Sequence, residues 1–134
     1  MPKKISPLAV TAWTAASAVG VGRSAMLDAA MRSRSGLRRN DFTHRPLDTW
    51  IGRVADVETA PLPSALARWE CRNNRLAWIG LNADGFIDAV AAARRRHGDA
   101  RVAVVLGTST SSIGATEEAY RRLDADGRFP EAMR

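Results

Sequence analysis

Cysteine is almost missing from this chain. Cys71 is the single one in 134 residues, so no internal disulfide can form, and without a CxxC or Cys/His spacing no zinc module is indicated. That usage suits a reducing, cytoplasmic setting, and Cys71 reads as a small buried hydrophobe. Histidine is nearly as scarce: His44 and His97 stand far apart, with no oriented partner of the kind that general acid-base chemistry needs. There is no GxSxG and no Walker sequence. The loop Gly107 to Gly114, GTSTSSIG, lacks the lysine and the glycine spacing of a phosphate cradle, and it does not give GxGxxG. Lys3 and Lys4 followed by an apolar stretch through Val19 have the outline of a secretory signal. Ser6, Pro7, Thr11, Thr14 and Ser17 interrupt that stretch, which is also too short to cross a bilayer, so neither a cleaved signal nor a membrane association is expected.

What is present is an ordinary globular composition, 46% hydrophobic and 25% charged, well away from that of disordered chains. The length suits one domain, residues 1–134. Twenty Lys and Arg against fourteen Asp and Glu leave a net charge of +6, which attracts anionic partners without choosing among them. One reading of that charge is a non-catalytic basic module in which Arg94 to Arg96, with Arg121 and Arg122, contact nucleic acid phosphates. No nucleic-acid-binding motif accompanies these arginines, which places this reading second.

The apolar pattern predicts alternating elements. Leu8 to Trp13 reads as a strand, followed by a small-residue loop closing on Gly20 and Gly22. Ala25, Met26, Ala29 and Ala30 have helical spacing, with Gly36 as the stop. Thr49 to Val57 is the next expected strand, bracketed by Pro46, Pro61 and Pro63. From Ser64 to His97 the pattern is helical, with a hinge near Asn73 and Asn74, an end at Gly98, and apolar residues on more than one side from Leu76 to Arg94. Arg101 to Gly107, RVAVVLG, reads as a parallel strand buried on both faces over Val102 to Leu106. Another helix follows over Glu117 to Leu123, with acids in its first turn. That alternation indicates an α/β fold.

Two stretches carry a resemblance. Val10 to Gly20, VTAWTAASAVG, lies in register with I-T-G-M-G-V-V-T-P-L-G, the opening of the β-ketoacyl-acyl carrier protein synthases, and SRSGL from Ser33 to Leu37 resembles the S-G-I/L after that family's first helix. RVAVVLGTSTSSI, Arg101 to Ile113, is similar to the family's R-V-G-V-V-x-G-[ST]-x-x-G-G. Ala12 and Thr14 stand where the family has glycines, Ala18 where it has proline, and Ser111 and Ser112 where it has a glycine pair, which marks a divergent branch.

The resemblance implies a thiolase-like fold, a layered αβαβα arrangement of which residues 1–134 would be an incomplete amino-terminal portion. It implies a homodimer in the complete protein, with the remainder of the synthase chain as a packing partner. The implied activity is acyl transfer to a cysteine and condensation with a decarboxylating malonyl thioester, in fatty acid or polyketide-type synthesis. The implied partner is acyl carrier protein, which brings its own phosphopantetheine, so no cofactor and no metal are expected on this chain. The family's nucleophilic cysteine and assisting histidines match no residue here, and Cys71 does not fall at the nucleophile's place. The 134-residue chain alone is therefore expected to be inactive. By the same resemblance Thr110 falls where elongating synthases place a gating residue, so Ser109, Thr110, Ser111 and Ser112 are candidates for lining substrate entry. Arg68, Arg72 and Arg75, at helical spacing, are candidates for meeting the acidic carrier protein, extended loosely to Arg38 and Arg39.

Overall fold

The computed structural model describes residues 7–42, 46–108 and 113–131. The described residues form four α-helices and two small antiparallel sheets, so the chain is mixed α/β. They belong to two units, one made of 1–55 and 79–102 and the other of 56–78 and 103–134.

In the first unit, β1 (Ala16–Ser17) and β2 (Gly20–Val21) make a two-residue hairpin that leads directly into α1 (Arg23–Met31). The expected strand over Leu8 to Trp13 is not formed: the segment joins no sheet, and Leu8 and Val10 are exposed. Helix α1 stops five residues before Gly36. Ser33 takes the left-handed conformation (φ 50°), the Ser33 amide donates to the Ala30 carbonyl and the Arg34 amide to that of Ala29. This is a Schellman closure, with serine in the place that glycine usually fills. Gly36 instead serves a close approach, because a Cβ there would lie 2.4 Å from the Ala18 backbone.

The chain then forms β3 (Leu37–Arg39), paired antiparallel with β4 (Trp50–Gly52). Only this short segment of the expected Thr49 to Val57 strand is formed. Asp41 accepts from Arg38 at 2.9 Å and Arg53 at 3.0 Å, Arg39 pairs with Asp48 and lies over Trp50, and Arg53 lies over Phe42. The hydrogen bond from Arg53 is the main reason the Asp41 carboxyl is held below its usual range.

The expected long helical stretch is present but broken elsewhere than expected. A 3-10 turn, Ser64–Trp69, precedes α2 (Arg72–Asn82), and α3 (Phe86–His97) follows after a break at Asp84 and Gly85, both left-handed. Asn73 and Asn74 lie inside α2, so the hinge belongs at Asp84 and Gly85. Consecutive residues at positive φ cannot continue a right-handed helix. The stretch Arg72–His97 has the length and apolarity of a membrane span, but it is two helices with a carboxylate at their junction. Gly98 ends α3 as expected (φ 82°), its amide donating to Arg94. Helices α2 and α3 have no fully buried residue, and Leu81 and Val90 are exposed, so the expected covering on several sides is not formed.

The expected parallel strand over Val102 to Leu106 is also not formed. Both sheets of the described residues are antiparallel ribbons closed on themselves, and Val104, Val105 and Leu106 are 88%, 96% and 86% exposed. A strand buried on both faces needs flanking strands for its backbone groups and covering layers for its side chains. The described residues bring neither to this run. Helix α4 (Ile113–Arg121) starts four residues before the expected Glu117. Glu117 and Glu118 therefore lie in its second turn, where they pair with Arg121 and Arg122.

Buried hydrophobics among the described residues are few: Ala29 and Val54 in the first unit, Val57 and Leu62 in the second.

Candidate functional site

The three candidate arginines sit where the 3-10 turn runs into α2, and their surroundings separate them. Arg75 is spent on the fold. Its guanidinium donates to the carbonyls of Val57 at 3.3 Å and Glu58 at 2.8 Å and pairs with Glu70, and its side chain is 23% exposed. Glu70 in turn accepts the Leu62 amide at 2.9 Å. Arg75 thus ties the loop 57–62 to the start of α2, and its hydrogen bond, followed by that of Leu62, holds the Glu70 carboxyl below its usual range. Arg72 pairs with Glu58 at 2.9 Å and is half exposed. Arg68 lies over the exposed Trp69 ring, 4.6 Å from its centroid. An outward cationic surface is therefore offered mainly by Arg68 and, in part, by Arg72.

This division has a measurable consequence. Arg75→Ala should lower the melting temperature by about 5 °C or more, because it strips donors from two carbonyls and a carboxylate. Arg68→Glu should leave it within about 2 °C, as exposed charges contribute little. Thermal denaturation of the two variants checks both.

Cys71 is half-buried, which corrects the expectation of a buried hydrophobe. It lines a recess of about 330 Å³ with Val57, Glu58, Glu70, Arg72 and Arg75. No described histidine lines that recess. His97 is at the exposed end of α3 in the other unit, and His44 lies outside the described residues. The candidate substrate-entry residues Ser109, Thr110, Ser111 and Ser112 also lie outside them, between Thr108 and the first residue of α4.

The first unit carries a larger, open groove of about 560 Å³, where Thr11 and Ala12 of the segment before β1 face Phe86, Ala89, Val90, Arg96 and His97 of α3. Four alanines, Ala12, Ala89, Ala92 and Ala93, make up much of its lining, and His97 stands at its edge with Arg96, with no cysteine or carboxylate among the lining residues. Of the arginines proposed for nucleic acid, Arg94 forms two hydrogen bonds to Asp99, and Arg121 and Arg122 pair with acids of α4. Those intramolecular pairs reduce the cationic surface left for phosphates. Among the described residues no group of three His, Cys, Asp or Glu side chains converges to hold a metal.

No family model, curated protein or solved structure matches this chain. The functional reading therefore rests on the residues and on their arrangement alone.

The residue that sequence reasoning missed is Asp84. Its carboxylate reaches two other segments of the first unit. The dipeptide Asp84-Gly85 is a turn signal, but it lies inside a long helical pattern that hides it.

Proposed function

We propose that this chain is the amino-terminal portion of a β-ketoacyl-acyl carrier protein synthase of thiolase-like fold, acting within an acyltransferase that condenses an acyl thioester with a malonyl thioester. The observation that carries the reading is the ordered pair of segments VTAWTAASAVG and RVAVVLGTSTSSI, separated by a helical, alanine-rich stretch. Two features of the molecule support it. The run Val104 to Leu106 is apolar and exposed, as a segment intended for burial in a larger sheet is when its covering layers are lacking. Arg68 lies over an exposed tryptophan ring and Arg72 is half exposed beside Glu58, where an acidic carrier protein could reach them, while Arg75 supports the fold. In this reading catalysis, the homodimer and the cytoplasmic setting belong to the complete protein, and phosphopantetheine arrives on the carrier.

The experiment is to follow the reading frame and weigh the native gene product by intact mass spectrometry. The expected product is a longer chain that continues past Arg134 into a small-residue cysteine motif and later histidines. A native product of 14.5 kDa, or a continuation without that cysteine, would overturn the reading.

A further inference from the structure

Helix α1 begins without a cap of its own. The residue before it is Gly22, which has no side chain to accept an amide, and its first turn holds no acid. The first amides of any helix need an acceptor from outside the helix. The Arg23 amide finds one in Asp84, whose Oδ2 accepts it at 2.8 Å from 61 residues away in sequence. The same oxygen accepts the Thr14 hydroxyl at 3.0 Å, and Oδ1 lies 3.7 Å from Arg23 Nε. Thr14 Oγ1 is also 3.3 Å from the Gly80 carbonyl, so the segment before β1 is held against the end of α2 at the same place.

The backbone is arranged for this contact. Asp84 sits at φ 57° and Gly85 at φ 69°, which turns the chain sharply between α2 and α3 and leaves the Asp84 side chain 16% exposed. Aspartate is among the few residues other than glycine that enter this region readily. Gly22, itself at φ 88°, leaves room for the approach, since a Cβ there would lie 3.1 Å from Asp84 Oδ1.

We infer that Asp84 is a remote N-cap for α1 and an acid-sensitive clasp that joins the Thr14 segment, the start of α1 and the turn between α2 and α3. The charged group facing it from α1 is Arg23, and the group facing it from the segment before β1 is the neutral Thr14 hydroxyl. Burial pushes the carboxyl up. The Arg23 amide, the Thr14 hydroxyl and the Arg23 guanidinium outweigh it and hold the group below its ordinary value. The clasp is therefore closed above about pH 4, the range of an unfolded aspartate. It opens as pH falls through the lower value of the folded chain.

The test is amide exchange by NMR on the 134-residue chain and three variants, with Arg23 protection taken relative to amides in the middle of α3. In the unaltered chain this ratio should fall about fivefold when the carboxylate is protonated, as loss of a cap implies. Asp84→Asn keeps an acceptor oxygen but no charge, so its ratio should be flat across the same acid range. Asp84→Gly suits the left-handed backbone while removing the carboxylate, so its ratio should be low at every pH. Thr14→Val should lower the ratio partially and shift the midpoint upward. Unchanged Arg23 protection in Asp84→Gly would overturn the inference. If that variant does not fold, an Asp84→Asn chain that keeps the original acid transition would overturn it equally.

Discussion

Val57→Asp is expected to abolish the folded structure of the second unit. Val57 is fully buried, in a loop whose carbonyls are held by Arg75. An unpaired carboxylate at such a position costs several kcal/mol, on the order of 5, against a stability of about 5 to 15 kcal/mol for a typical domain. The two neighbouring guanidiniums offer little relief, because Arg75 is already engaged by Glu70 and two carbonyls and Arg72 by Glu58. Val57→Ala, which removes two methyl groups without adding charge, should cost only about 2 kcal/mol and leave the unit folded. Hydrogen exchange read by mass spectrometry over 56–78 separates the outcomes: loss of protection in the Asp variant and retention in the Ala variant. Equal protection in the Asp variant and the unaltered chain would mean that Val57 is not part of a core.

The small core also explains which elements were legible in the sequence. Elements fixed by local chemistry are legible: α1 by its alanine spacing, the end of α3 at Gly98, and helical structure from Ser64 onward, though not its 3-10 start or the place of its break. Those that depend on distant partners are not. Val102 to Leu106 has the composition of a buried strand, but composition states what burial a segment would tolerate and not whether neighbours arrive to pair its backbone. Leu8 to Trp13 failed for the same reason, while the hairpins that did form join nearby pairs such as Ser17 and Gly20. The helix break was misplaced because Asn73 and Asn74 are poor helix formers that tertiary contacts can override, whereas Asp84 and Gly85 adopt a conformation no helix permits. Of the candidate site, Arg68, Arg72 and Arg75 were grouped by spacing alone. Trp69 follows Arg68 in the same turn, whereas Glu58 and Glu70 come from the preceding loop and the end of the 3-10 turn, and it is these surroundings that divide the structural Arg75 from the more exposed Arg68.

The chain by itself should form no acyl-enzyme and release no carbon dioxide from a malonyl thioester. Condensation of the proposed kind needs a thiolate, groups that assist proton transfer or decarboxylation, and donors aimed at the developing oxyanion, all within hydrogen-bond reach of one another. The single thiol, Cys71, shares its recess with Val57, two glutamates and two arginines, and those charged groups are engaged with one another and with the loop backbone. Arginine stays protonated and cannot serve as the base, and Glu70, held below its usual range by Arg75, is a poor proton donor at neutral pH. His97, the one described histidine, belongs to the other unit. Incubating the purified chain with labelled acyl and malonyl thioesters and recording its intact mass should show an unmodified protein. A stoichiometric acyl adduct that Cys71→Ala abolishes, followed by a condensation product, would make Cys71 the nucleophile and overturn both its structural assignment and the proposal that catalysis belongs to residues outside this chain.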